Sequence, residues 1–210
     1  MKSQAQELWR QARRLGRNAA PRKPLPPLLF FTDPGRTPDA SRTVAAMARG
    51  SGVVYRAFGA ANALREGLRV RAAARRAGVL FIVGADAGLA NRLDADGLHL
   101  PERLGRRAGV IRALSRRFLV TAAAHSLPAA LAARRAGARA LIISPVFASI
   151  SPSAGRPLGP RSFAVMARKS GLPAYALGGV NARTARALSR SGAAGLAMVE
   201  GAVAAFGPAD

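Results

Sequence analysis

Ala133-Arg134-Arg135-Ala136-Gly137 runs through Ala138-Arg139-Ala140 into the apolar stretch Leu141–Ser144, and this junction decides the fold. A helical run closes in basic residues, a glycine is free to take the left-handed conformation just past the helix end, and a short buried strand follows. The same order recurs where Ala74-Arg75-Arg76-Ala77-Gly78 enters Val79 and where Leu188-Ser189-Arg190-Ser191-Gly192 leads toward Gly195. Working outward from these junctions gives eight apolar runs: Leu28–Thr32, Val53–Ala57, Val79–Val83, Gly97–Leu100, Phe118–Ala122, Leu141–Ser144, Ala174–Leu177 and Gly195–Val199. They show little polar alternation, as strands buried on both faces of a parallel sheet do. Between them lie segments with helical spacing, such as Ala61–Ala77, Leu127–Ala136 and Ala182–Ser191. Eight β–α units that close on themselves make a (β/α)8 TIM barrel, here α/β over residues 28–210. An open doubly wound sheet is the competing architecture, but no Gly-x-Gly-x-x-Gly turn follows the first run.

Residues 1–27 stand apart as a basic N-terminal helix and a proline-rich linker. Ala5, Leu8, Trp9, Ala12 and Leu15 follow helical spacing, and Pro24, Pro26 and Pro27 then break the pattern. This helix is expected to pack on the barrel or to serve as a partner-binding arm. Met1–Ala20 lacks the apolar core of a secretory signal, and no stretch reaches the roughly 18 apolar residues of a membrane span. The reading is a soluble, cytoplasmic protein that does not engage membranes.

The 210 residues carry 33 basic and 10 acidic side chains, a net charge of +23, and no cysteine. Thiolate nucleophiles, disulfides and thiolate metal sites are thereby excluded. Acid–base and metal chemistry must draw on ten carboxylates and two histidines. Of these, Asp33, Asp86, His99, Glu102, His125 and Glu200 fall at the C-terminal ends of the expected strands, where a barrel places its active site. The positive charge raises nucleic acid as a ligand. The arginines, however, come in pairs spread along the chain without interleaved aromatic residues, so they read as solvated helix faces and nucleic acid is not the main ligand.

Two turns are suited to an anion. The seventh run ends in Leu177-Gly178-Gly179-Val180, where glycines let backbone N–H groups approach a phosphate, and the eighth ends in Val199-Glu200-Gly201. These are the loops that commonly hold phosphate in barrels. Arg56 at the second strand end offers a bidentate guanidinium. Ser149, Ser151 and Ser153 lie in a Ser/Pro/Gly-rich stretch, Ala148–Pro157, long enough to cover a ligand, and Arg156 adds charge to it.

With these segments in place, the chain resembles the thiamine phosphate synthase family, including its TenI-like thiazole tautomerase branch, over roughly residues 28–206. The resemblance rests on Ala95-Asp96-Gly97-Leu98-His99-Leu100-Pro101-Glu102, Ser144-Pro145-Val146-Phe147-Ala148-Ser149-Ile150-Ser151, Leu158-Gly159, Ala176-Leu177-Gly178-Gly179-Val180 and Gly195-Leu196-Ala197-Met198-Val199. It implies a transferase of thiamine biosynthesis that joins a pyrimidine methyl pyrophosphate to a thiazole phosphate, with magnesium neutralising the leaving pyrophosphate. The family's two metal-binding aspartates fall here on Ala85 and Leu104, leaving Asp86 and Glu102 as the nearest carboxylates for Mg2+. Its second-strand Gln and Lys fall on Val54 and Phe58, its strand-five Ser on Ala123, a later Lys on Pro152, and a small phosphate-contacting residue on Glu200. The tautomerase branch needs no magnesium and uses a histidine after strand five, a position that His125 matches; imidazole suits proton transfer near neutral pH. A synthase, a TenI-like tautomerase or non-catalytic phosphate binder, and a polyanion-binding protein with an arginine-rich surface thus stand as the functional alternatives, with a homo-oligomer left open.

Overall fold

In a computed structural model, residues 3–19, 25–115, 117–151 and 155–208 are described. Helix α1 (Ser3–Ala19) is followed by strand β1 (Leu28–Phe31), α2 (Ala40–Ala46), β2 (Gly52–Tyr55), α3 (Ala63–Ala77), β3 (Leu80–Gly84), α4 (Ala87–Arg92) and β4 (Gly97–Leu100). A 3-10 helix (Glu102–Arg107) then leads into α5 (Ala108–Leu114), β5 (Leu119–Ala124), α6 (Leu127–Arg135), β6 (Ala140–Ile143), α7 (Gly159–Ser170) and β7 (Ala174–Ala176). A second 3-10 helix (Thr184–Leu188), β8 (Gly195–Met198) and α8 (Glu200–Phe206) complete the chain. The strands form a closed parallel barrel in sequence order, β1 pairing with β8 through Leu28↔Leu196, Leu29↔Ala197 and Phe30↔Met198.

Each strand is apolar on both faces because it separates two cores. Leu29, Phe31, Val54, Ile82, Ala140, Ile142, Tyr175 and Ala197 fill the interior of the barrel. Their neighbours one residue away, such as Leu28, Phe30, Val53, Phe81 and Leu141, point outward into the layer beneath the helices. The interior is closed low down by Tyr175, whose hydroxyl donates to the carbonyl of Pro26 at 2.6 Å. Gly195 on the adjacent strand makes room for this ring: a Cβ there would lie 2.6 Å from Tyr175 Cε1 and would also strike the Pro27 carbonyl.

The α3 and α7 ends use glycines in the left-handed region, Gly78 (φ 66°) and Gly171 (φ 67°). The expected helix over Ala182–Ser191 is instead the short 3-10 helix. Asn181 Oδ1 accepts from the backbone N–H groups of Arg183 and Thr184, and Thr184 donates its hydroxyl to the carbonyl of Gly179, which tightens this segment against the β7 turn.

Helix α1 packs on the barrel, burying Ala5, Leu8, Ala12 and Leu15. It contacts both β8 and β1, and Gly16 lies against the Ala194 carbonyl and Pro27 at the strand N-termini. Asp96, before β4, also serves the scaffold: its carboxylate accepts from Phe81 N–H at 2.8 Å and pairs with Arg71 at 3.1 Å. Among the described residues no helix is long and apolar enough to cross a membrane.

Candidate active site at the barrel mouth

The C-terminal strand ends open into a cavity of ≈ 1020 Å³. Its floor is the top layer of inward-pointing strand residues, including Phe31, Arg56, Gly84, His99, Ala123, Ser144, Leu177 and Val199. Arg56, Asp86, Glu102, His125, Ser149, Ser151, Gly178, Gly179, Val199 and Gly201 all line it, so residues picked from seven separate stretches of sequence meet in one place. Ala85 lines the cavity as well, whereas Leu104 does not and packs against the outer core. Arg156 is exposed and lies outside the lining, and Ser153 and Pro152 fall outside the described residues.

Arg56 is held on three sides. Its Nε–H donates to the Thr32 carbonyl at 2.8 Å, and its guanidinium carbon sits 5.5 Å from the Phe31 ring centre and 5.1 Å from that of Phe58. Phe58, 70 % exposed, adopts a left-handed backbone (φ 50°) that bulky residues rarely take. Burial, partly offset by Asp33, brings the Arg56 pKa down to about 10, so the group stays cationic at neutral pH. Its Nη2 is buried with no hydrogen-bond partner among the described residues, 3.6 Å from Asp33 Oδ2. A buried donor without an acceptor calls for an external one.

Beside it, Arg36 bridges Asp33 at 2.7 Å and Glu200 at 2.8 Å. Burial opposes ionisation of Asp33, but hydrogen bonding to Arg36 and the charges of Arg36 and Arg56 outweigh it and hold the carboxyl below its usual range. Glu200 is thus drawn toward β1, which relieves its conflict with an anion at the β8 turn. This cluster was only half visible in the sequence. Asp33 and Glu200 stood out as strand-end acids, but nothing marked Arg36 as the link between residues so distant in the chain.

His99 lies inside the barrel, buried, with Nδ1 2.9 Å from Thr121 Oγ1 and its ring edge-on to Phe31. Burial first, and then the nearby Arg56 charge, depress its pKa to about 3, so the imidazole is neutral. His125 sits at the rim, exposed. Its backbone N–H donates to Glu102 Oε2 at 2.5 Å, and its Nδ1 is 2.7 Å from the Ser144 carbonyl. A carbonyl only accepts, so Nδ1 carries the proton and Nε2 is left as an acceptor.

Three strands round the ring from Arg56, the β7 turn presents Gly178 (φ 91°) and Gly179 (φ 63°). Both are pressed on the loop after β6: a Cβ on Gly178 would lie 2.8 Å from Pro145 Cα, and one on Gly179 would lie 2.8 Å from Phe147 Cβ and strike the Ala148 carbonyl. Among the described residues, the N–H groups of Gly179 and Val180 have no hydrogen-bond acceptor. They form a small nest suited to an anion.

For magnesium the lining offers only two carboxylates near the positions the family uses, each with one oxygen already engaged. Asp86 Oδ1 accepts from Leu89 N–H at 2.8 Å as the cap of α4, and Glu102 is engaged by the His125 N–H. No group of three or more His, Asp or Glu side chains converges among the described residues.

The fold and this lining define a (β/α)8 barrel with a cavity at its mouth that carries unpaired N–H donors. The thiamine monophosphate synthase family matches residues 28–202, and the chain belongs to that family, one of thiamine-biosynthesis transferases. It is 36% identical over 148 residues to the thiamine-phosphate synthase of Chloroflexus aurantiacus, covering 68% of this chain and 66% of that one. A putative thiamine-phosphate synthase 2 of Aquifex aeolicus is 31% identical over 130 residues, covering 62% of this chain and 69% of that one. Among solved structures, the thiamine phosphate pyrophosphorylase of Pyrococcus furiosus superposes with a TM-score of 0.72 at 25% identity, over 92% of this chain and 91% of that one.

Proposed function

We propose that the chain is a thiamine phosphate synthase, joining a pyrimidine methyl pyrophosphate to a thiazole phosphate at the barrel mouth. The observation that carries this reading is the buried Nη2 of Arg56, a cationic donor without an acceptor, in one cavity with a turn whose Gly179 and Val180 N–H groups are also unused. Two separate anion seats in one cavity suit two phosphorylated substrates. In the reaction, the bond between the pyrimidine methylene and the pyrophosphate oxygen breaks and its electron pair leaves with the pyrophosphate. The thiazole nitrogen then supplies the pair for the new C–N bond. Arg56 receives the departing pyrophosphate, and the low polarity of Phe31 around it strengthens that contact. The β7 turn holds the thiazole phosphate. His125, fixed by the Ser144 carbonyl, offers Nε2 to a heterocycle N–H and thereby orients a ring.

The same Nε2 favours a second reading, thiazole tautomerisation, in which it takes and returns a ring proton. One set of assays separates the two. Wild-type protein supplied with both synthase substrates, with and without Mg2+, should release thiamine phosphate and pyrophosphate. His125→Gln should then raise KM more than it lowers kcat. Turnover of the thiazole tautomer alone, lost by about 100-fold or more in His125→Gln as expected for a proton-transfer group, would establish the tautomerase instead. Turnover of neither would overturn both.

A further inference from the structure

Two of the arginine pairs that are scattered along the sequence, Arg75-Arg76 and Arg134-Arg135, are brought by the barrel to one end, whereas Arg106-Arg107 opens α5 on the mouth side. Every strand is parallel and every helix runs back, so the helix C-termini surround the strand N-termini, opposite the mouth. There α3 ends in Arg75 and Arg76, α6 in Arg134 and Arg135, and α7 in Arg168 and Lys169, all exposed. Contacts link the ends of neighbouring helices along part of the rim. The Arg49 side chain packs over Gly78, Arg112 donates to the Gly137 carbonyl at 3.0 Å, and Arg134 donates to the Ser170 carbonyl at 3.3 Å. A carbonyl uses only one of a guanidinium's five donors, and the rest of each group faces solvent.

Compensating charge is nearly absent. Among the described residues the loops at this end contribute two carboxylates, Asp94 and Asp96, and α1, which crosses it, carries Glu7, paired with Arg10 at 2.8 Å. Arg71 lies 3.6 and 3.1 Å from the two aspartates, and Arg117 pairs with Asp94 at 2.6 Å. None of the helix-end residues named above forms an ion pair among the described residues. The cavity lining, by contrast, balances Arg36, Arg56 and Arg103 against Asp86, Glu102 and Glu200. The charge of this rim is thus unbalanced where that of the cavity lining is balanced.

The chemistry of the rim narrows its partner. It is built almost wholly of guanidinium groups, which grip phosphate oxygens bidentately. The large exposed apolar residues, Phe58, Leu68, Val110, Ile150 and Val165, all lie away from these last turns. The rim thus has neither the apolar wedge of a membrane-inserting surface nor the aromatic platform of a single-strand binder. We infer that the face at the strand N-termini is a sequence-independent docking surface for the phosphate backbone of double-stranded nucleic acid. This goes beyond the transferase reading and stands or falls separately from it.

Fluorescence anisotropy of two unrelated labelled duplexes tests the inference on the full chain. Both should bind with equal affinity, and raising NaCl from ~50 to ~200 mM should weaken binding ~1,000-fold, as expected for about six phosphate contacts. Arg134→Glu/Arg135→Glu should abolish most of this binding. Arg156→Glu/Arg161→Glu, nearer the mouth and with the same change in net charge, should leave it intact. Thermal melts check that each variant folds. On the unmodified protein, hydrogen exchange should slow around 134–139 and 168–171 when the duplex is added. No binding in low salt, equal loss in both variants, protection confined to the mouth, or tighter binding to phosphatidylserine vesicles than to duplex would each overturn the inference.

Discussion

Replacing Gly179 by alanine loads the β7 turn in two ways at once. The residue has φ 63°, where an L side chain costs about 1–2 kcal/mol. The added methyl would sit 2.8 Å from Phe147 Cβ and press on the Ala148 carbonyl, an overpacking worth about 1–3 kcal/mol. At about 2–4 °C per kcal/mol for a chain of this size, the melting temperature should fall by about 5–15 °C. A shift of the turn that relieves the clash moves its N–H groups off their positions in the cavity. Loss of one hydrogen bond to a charged phosphate, about 1.5–3 kcal/mol, should then raise KM for the thiazole phosphate about 10- to 100-fold. KM for the pyrimidine pyrophosphate should stay close to wild type. Gly192→Ala is the internal control: φ is 75° but a Cβ meets nothing within 4 Å, so a fall of a few degrees with normal kinetics is expected. Scanning fluorimetry and steady-state kinetics with chromatographic detection of thiamine phosphate measure both effects. A destabilised Gly179→Ala enzyme with an unchanged KM for the thiazole phosphate would refute the anion seat, and an undisturbed melt would refute the packing argument.

Asp86→Ala should cost about 1 kcal/mol through the lost α4 cap, while Asp86→Asn retains the cap and melts like wild type; loss of Mg2+-stimulated turnover in the Asn variant would show the carboxylate to be a ligand after all. His99 gives a pH signature. Because the buried imidazole has a pKa of about 3 against 6.5 when unfolded, the unfolded chain takes up a proton that the native state refuses. Stability should therefore be fully present above pH 6.5 and decline as pH falls toward 3. Urea titrations at several pH values should show a shallower decline for His99→Gln; equal slopes would contradict the assignment. Asp33 contributes in the same direction, since its carboxyl is held below its usual range, but it does so in both proteins and cancels from the comparison.

The barrel was legible because strands buried on two sides need apolar residues at every position, which makes runs such as Leu28–Phe31 and Leu141–Ile143 stand out whole. Boundaries moved by a residue or two where backbone pairing, not hydrophobicity, sets the end: β5 continues to Ala124, and β7 stops at Ala176. Within the site, Arg56 and the glycine turns could be read from their place after a strand. The hydrogen bonds that give them meaning could not, since the Thr32 grip on Arg56 and the Ser144 grip on His125 join different strands. Spread evenly along the chain, the arginine pairs read as solvated helix faces, and only the common direction of the helices shows that Arg75-Arg76 and Arg134-Arg135 end on one side.

The seam between β1 and β8 has a consequence for how the chain is made. It is fastened at both ends, by α1 lying across the strand N-termini and by Arg36 reaching from the Asp33 loop to Glu200 at the mouth. A ribosome delivers one side of this clasp long before the other. Until β8 follows, β1 has β2 as its single neighbour and presents a bare hydrogen-bonding edge, the kind of edge that recruits other chains. The half-made barrel is thus the vulnerable form of this protein, and release of β8 with Glu200 closes the ring and completes the mouth together.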